Sequence, residues 1–203
     1  MNRPTITISR QLGSQGCEVA RAVENRLGYR LAWRDMINEA GRRAGTPEIA
    51  LDCIDELGLL GMKISPQKRI IYKQAMEEVI RELASQGNVI ILGRAGQAIL
   101  SGFPDVLHVR IFAPKMIRAE RIAKKQGLPI SGALAQVEAS DRTRRLYVKR
   151  FYNVRWDDPD LYDLIINTGH ISPETAAVLV TEVVSGFTSA RKTGTSSIQE
   201  SSI

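Results

Sequence analysis

Gly13 and Gly16 bracket Ser14 and Gln15 directly after the short apolar run Thr5 to Ser9, and a helical pattern follows from Glu18 to Leu27. Strand, glycine turn and helix in that order make an anion site. Successive backbone N–H groups face one concavity, and the helix dipole adds positive potential. The usual phosphate-loop signature is G-x-x-x-x-G-K-[ST]. With Gly16 as its second glycine, the first falls on Gln11, the lysine on Cys17 and the hydroxyl residue on Glu18, so the match is partial. Arg10 is the nearby cation that can stand in for the lysine, and a glycine connection holding no ligand is the alternative.

Two further groups carry positive charge. Arg94 follows Gly93 at the end of the buried run Asn88 to Leu92. Its planar fork matches phosphate oxygens bidentately, as lysine does not. Arg142, Arg144, Arg145, Lys149 and Arg150 lie together on one expected helix, with Asp141 ahead of them. Spacings of three and four bring Asp141 near Arg144 and Arg145, so the carboxylate can hold either arginine in one rotamer. A solvated helix face has the same composition, and Lys149 and Arg150 fit that description best. Trp156 is expected to pack at a hinge rather than to stack on a base. His108 lies inside a strand and His170 after one, and neither is placed as a nucleophile or metal ligand. Cys17 reads as a small residue tolerated in the turn.

The elements that must position these groups follow from periodicity. Strands are expected at 5–9, 29–32, 88–92, 106–112 and 163–168. Helices are expected over 18–27, 35–44, 47–57, 67–86, 115–126, 131–153 and 172–184, the last capped by Ser172 with Pro173 behind it. Residues 58–66 read as a loop. The chain from 188 to 203 is Ser/Thr/Gly/Lys-rich and is expected to be a disordered tail. Strands that are apolar on both faces and alternate with helices describe a parallel sheet covered on both sides. Ligands then bind outside the carboxyl ends of the strands, where Arg10 and Arg94 both fall.

The 203 residues suit one domain. Hydrophobic residues are 43% and charged residues 25%, a globular composition, while aromatics at 5% leave the core to aliphatic side chains. No apolar run approaches the roughly 18–20 residues of a membrane-spanning helix. Cys17 and Cys53 make neither a disulfide framework nor a zinc cluster, and no signal-peptide core opens the chain, so a reducing cytoplasm is expected. The net charge is +6, yet Lys115 to Arg155 alone holds eleven Lys/Arg and three Asp/Glu, a net of +8. A basic excess on one stretch points to phosphate-bearing ligands. That stretch lacks the interleaved aromatics of a nucleic-acid stacking platform apart from Tyr147, Phe151 and Tyr152, which favours small nucleotides over nucleic acid.

Several segments together resemble the cytidylate kinase-like family, a branch of the P-loop nucleoside monophosphate kinases. Ile6 to Gly16 looks like the family's I-T-I-S-R-Q-x-G-S-G-G opening, and Asn88 to Arg94 is similar to its V-I-x-G-R strand end. Asp141 to Tyr147, then Tyr152, Trp156, Asp158-Pro159 and Tyr162 to Thr168, resemble its lid and last strand. The resemblance implies a three-layer P-loop kinase-like sandwich over residues 1–187, with a five-stranded parallel sheet and a helical lid at about 128–160. It implies transfer of the ATP γ-phosphate, with Mg²⁺, to CMP, dCMP or a related monophosphate. Arg10, Gly13, Ser14 and Gly16 would lie on the ATP phosphates, Arg34, Asp35 and Arg94 on the monophosphate side, and Asp141, Arg144 and Arg145 over the transferred group. The chain departs from the family pattern at Gln15, a glycine there, and at Cys17, often arginine. It departs again at Trp33, usually acidic, and at Ala95, often Asp. A nucleotide-binding protein of the same fold with little or no kinase activity is the alternative reading.

Overall fold

The computed structural model describes residues 4–45 and 66–194, with side chains described from 4–45 and 67–186. In chain order the elements are β1 (Thr5–Arg10), α1 (Gly16–Leu27), β2 (Arg30–Ala32), α2 (Arg34–Arg43), α3 (Pro66–Gln86), β3 (Val89–Leu92) and α4 (Gly96–Ile99). There follow β4 (Val106–Phe112), α5 (Lys115–Gln126), α6 (Ile130–Tyr152), a 3₁₀ turn (Pro159–Leu161), β5 (Leu164–Asn167) and α7 (Pro173–Gly194). The five strands form one all-parallel sheet in the order β2-β3-β1-β4-β5. β1 is central, with β2 and β3 on one side and β4 and β5 on the other. β3 is interior, as its double-sided apolar pattern requires.

The sheet has a core on each face, and β2, β3 and β4 feed both, because successive side chains point to opposite faces. Val89 and Ile91 of β3 join α2 and α3 through Met36, Ile37, Met76 and Ile80. Ile90 and Leu92 of the same strand join α1 and α7 through Val19, Val23, Ala177 and Val180. A third, small cluster of Ala119, Ile122, Ala133 and Val137 binds α5 to α6, with Leu12 packed against it. Helix α6 is therefore anchored twice, to α5 by its first half and to the α2/α3 core by Tyr147 and Val148 in its second.

All the expected strands form, within one residue at either end. Helix stops behave as read: Gly28 ends α1 with φ 66, and Gly87 follows α3 with φ 67. The Ser172 hydroxyl accepts the Thr175 N–H, which caps α7. Three features differ. The α1 helix begins at Gly16, two residues early, so the glycine turn is shorter than its sequence suggests. The one-turn α4 and the 3₁₀ turn are too short to have a periodicity. The α7 helix continues to Gly194, past the boundary expected at 187, since a nucleated helix gains one backbone bond per residue added. The expected helix 47–57, the loop at 58–65, Cys53 and the tail beyond 194 lie outside the described residues.

Candidate active site

The glycine turn carries backbone N–H groups to the carboxyl end of β1. Gly13 has φ +76, and a Cβ there would come 2.7 Å from the Arg118 carbonyl. Gly16 must lack a side chain for another reason, since a Cβ would collide with the Arg10 side chain. The loop is tied down from outside. Thr168 donates its hydroxyl to the Ser14 carbonyl at 2.7 Å, and Arg121 donates to the Gly13 carbonyl at 3.3 Å. Helix α1 starts with no side-chain cap, so the first-turn N–H groups of Gly16, Cys17 and Glu18 have the geometry of an anion site. Gln15 precedes them with φ 57, the left-handed conformation that glycine adopts without strain.

Ser14 shapes this loop from within. It is fully buried, and its hydroxyl donates to the Gln11 carbonyl at 2.9 Å. Its backbone N–H points to the same carbonyl at 3.3 Å. The side chain is thus committed to shaping the turn.

Three arginines converge beside the turn. Arg10, Arg94 and Arg144 are 8%, 3% and 8% exposed and line one small pocket with Gln97, Tyr147 and Trp156. Arg10 and Arg144 also line the main cleft, about 700 Å³, together with the glycine turn and Trp33. That is the size of a nucleotide-class ligand site. Arg94 is aimed by an unusual backbone. Gly93, Arg94 and Ala95 have φ of 82, 55 and 57, so the chain turns sharply off β3. Left-handed non-glycine residues are unfavourable by about 1–3 kcal/mol each and persist where the surroundings over-determine them. Here the Gly93 N–H is held by the Ile8 carbonyl at 3.0 Å, and Gly96 packs too closely on Thr7 to carry a side chain easily.

Helix α6 separates residues that the sequence groups together. Asp141 does not pair with Arg144 or Arg145 of its own helix. Both its oxygens accept from Arg118 of α5, at 3.1 and 2.8 Å, with both side chains almost fully buried. A facing arginine presents its fork to the carboxylate in one plane, which is the stronger, bidentate arrangement. Arg118 also donates to the Ala113 and Leu12 carbonyls, so one residue joins β4's end, the phosphate turn and the lid. Asp141 therefore anchors α6 to α5, both its oxygens being taken up by Arg118. Arg144 donates to Ser140 one turn back and faces the cleft. Arg145, its neighbour, has a side chain 52% exposed, 3.8 Å from Asp157, and lines neither cavity. Adjacent helical residues do not face the same way, so only one of the pair can point inward.

The segment after β2 also differs from expectation. Arg34 is exposed and lies 5.2 Å from the centre of the Trp33 ring, and Trp33 rather than Arg34 lines the cleft. Asp35 accepts the Trp33 N–H at 2.9 Å and pairs with Arg30, which uses it to begin α2. Partial burial pushes the Asp35 carboxyl up, but Arg30 and the Trp33 and Met36 amides outweigh this and hold it below the ordinary carboxylate range.

Trp156 packs, as expected. Its indole N–H donates to the Ser9 hydroxyl at 2.9 Å, and Arg110 lies 4.5 Å over its ring while donating to its carbonyl at 2.7 Å. His108 shares a 2.7 Å hydrogen bond with Thr7, and burial pushes its pKa down. Cys17 is half-buried and lines the cleft. No group of three or more His, Cys, Asp or Glu among the described residues is arranged to hold a metal. No described helix is long and apolar enough to cross a membrane. Sequence reasoning passed over Arg118, Arg121, Lys124 and Lys125, although they belong to the basic stretch. Their spacing of three and four along α5 was the available signal.

The sheet order and a glycine turn after the central strand define a P-loop kinase fold. Shikimate kinase from Acinetobacter baumannii shares it at a TM-score of 0.53 and 17% identity, over 91% of this chain and 94% of that one. The chain belongs to the cytidylate kinase-like family, which it matches over residues 5–170. It is similar to the cytidylate kinase of Sulfolobus acidocaldarius, 26% identical over 89% of this chain and 93% of that protein. It is also similar to that of Methanocaldococcus jannaschii, 34% identical over 48% of this chain, an alignment spanning 57% of the archaeal protein.

Proposed function

We propose that this protein transfers the γ-phosphate of ATP to a nucleoside monophosphate, CMP or dCMP first, in the cytoplasm. The observation that carries the reading is the convergence of Arg10, Arg94 and Arg144 on one small pocket, which through Arg10 and Arg144 adjoins the cleft at the uncapped start of α1. Phosphoryl transfer asks the protein for in-line positioning and charge neutralisation more than for covalent chemistry. The first-turn amides of α1 would hold the ATP phosphates, with Arg10 supplying part of the charge that a P-loop lysine brings. Arg94 would take the acceptor phosphate bidentately. Arg144 would reach the transferring group from the lid, which also excludes water. Mg²⁺ bound with ATP would supply charge neutralisation on its phosphates. Glu18 is the carboxylate lining the cleft, and with the Ser14 hydroxyl engaged it is the better candidate to hold the ion.

One observation favours the alternative of nucleotide binding with little turnover: Cys17, not a cation, lies at the cleft where the family often has arginine. The test is a panel of nucleoside monophosphates with Mg-ATP, reading ADP release, beside a separate ATP binding titration. ATP-dependent turnover with a pyrimidine monophosphate supports the kinase reading. ATP binding without turnover on any monophosphate selects the alternative.

A further inference from the structure

Gln97 is the second residue of the short helix α4, at the carboxyl end of β3. It is 2% exposed, and its side-chain Nε2 has no hydrogen-bond partner among the described residues. A buried amide donor without a partner forfeits the hydrogen bonds it had in water, and an apolar side chain of the same shape would be more stable there. Such a group calls for an acceptor that a water, an ion or a ligand supplies.

The surroundings identify that acceptor. Gln97 lines the small pocket with Arg10, Arg94 and Arg144, and none of the pocket's lining residues is acidic. The space is about 10 Å³, room for one water-sized group and not for a ring. Through Arg10 and Arg144 the pocket adjoins the main cleft. A single oxygen of a phosphate group seated on Arg94 fits both the size and the charge.

We propose that Gln97 is a binding residue for the acceptor, its side-chain amide donating to an oxygen of the acceptor's phosphate beside Arg94. The site then recognises a phosphomonoester, and a neutral hydroxyl compound would leave the Gln97 amide without its acceptor. The proposal deepens the kinase reading and rests on it only for the ligand's identity.

The test uses Gln97→Met, which keeps the length of the side chain and removes the donor, and Gln97→Glu, which sets a carboxylate among the arginines. Ligand-free Gln97→Met should melt about 2–4 °C above wild type. Millimolar inorganic phosphate or CMP should raise the wild-type melting temperature and raise that of either variant much less. In turnover, KM for the monophosphate should rise about tenfold or more in Gln97→Met with KM for ATP unchanged. A lower melting temperature for ligand-free Gln97→Met means that the amide has an internal structural role, and overturns the proposal. So does an undiminished phosphate response in both variants, or an unchanged monophosphate KM. If wild type turns over no monophosphate but its phosphate response depends on Gln97, the kinase reading falls and this one stands.

Discussion

Removing the Asp141 carboxylate should destabilise the protein more than any change at the exposed lid arginines. Asp141→Ala leaves the Arg118 guanidinium buried, its side chain 3% exposed, with only the Ala113 and Leu12 carbonyls to accept from it. Breaking a buried pair by deleting one partner costs about 3–5 kcal/mol, mostly through the uncompensated charge. Two surviving hydrogen bonds place the expected loss toward the lower end, about 3 kcal/mol. In a chain of this size about 1 kcal/mol moves the melting temperature by roughly 2–4 °C, so the drop should be about 6–12 °C. The double variant Arg118→Met/Asp141→Leu removes both charges and should recover much of that loss. Arg118 also holds the Leu12 carbonyl at the entrance to the phosphate turn, so the double variant should still bind ATP more weakly than wild type. Thermal unfolding of wild type, Arg118→Met, Asp141→Leu and the double variant, with Asp141→Ala and ATP titrations alongside, closes the cycle. A loss below about 1 kcal/mol for Asp141→Ala, or a double variant as unstable as the two singles combined, would refute the clamp.

The remaining expectations concern the cleft and its frame. Arg144→Ala should lower kcat by roughly ten- to a hundredfold, with less effect on KM, whereas exposed Arg145→Ala should stay near wild type; steady-state kinetics that show equal losses contradict the inward and outward assignment. Cys17→Lys should tighten ATP binding, as measured by calorimetry, and an unchanged Kd would mean that position 17 points away from the phosphates. Gln15→Gly relieves a left-handed side chain and should raise stability by about 1 kcal/mol, read as a small increase in melting temperature. His108 has its pKa lowered by burial, so the folded state binds fewer protons than the unfolded state below the ordinary pKa of about 6.5. Stability should therefore be constant above that pH and decline from about 6.5 toward the lowered value. His108→Gln should flatten the melting temperature between pH 7.5 and 5.5, and a decline as steep as that of wild type would assign it to other groups.

How much of this was legible in the sequence follows the range of the interactions involved. Strand and helix positions depend on local periodicity and stop signals, so β3 between Gly87 and Gly93, and α5 over Lys115–Gln126, could be read directly. The phosphate turn was legible too, because glycines directly after an apolar strand and before a helix are themselves the signal, although the atoms that exclude a side chain at 13 and 16, the Arg118 carbonyl of α5 and the Arg10 side chain, appear only in the fold. The family resemblance rested on the same short segments. Partner choice was not legible. Spacing along α6 allowed Asp141 to meet Arg144 or Arg145, and nothing local said that Arg118, 23 residues earlier, would present its fork in a buried plane. Nor could spacing say which of two adjacent arginines would face the cleft, since that depends on where Tyr147 and Val148 dock in the α2/α3 core. Gln97 had no sequence signal at all, for an amide becomes informative only when its surroundings leave it without a partner. Local periodicity, glycine and charge composition set the elements and the anionic character of the ligand. The assignment of each charged side chain to cleft, clamp or surface was decided by tertiary packing, because burial and partner geometry set the worth of a charge and no local pattern encodes them.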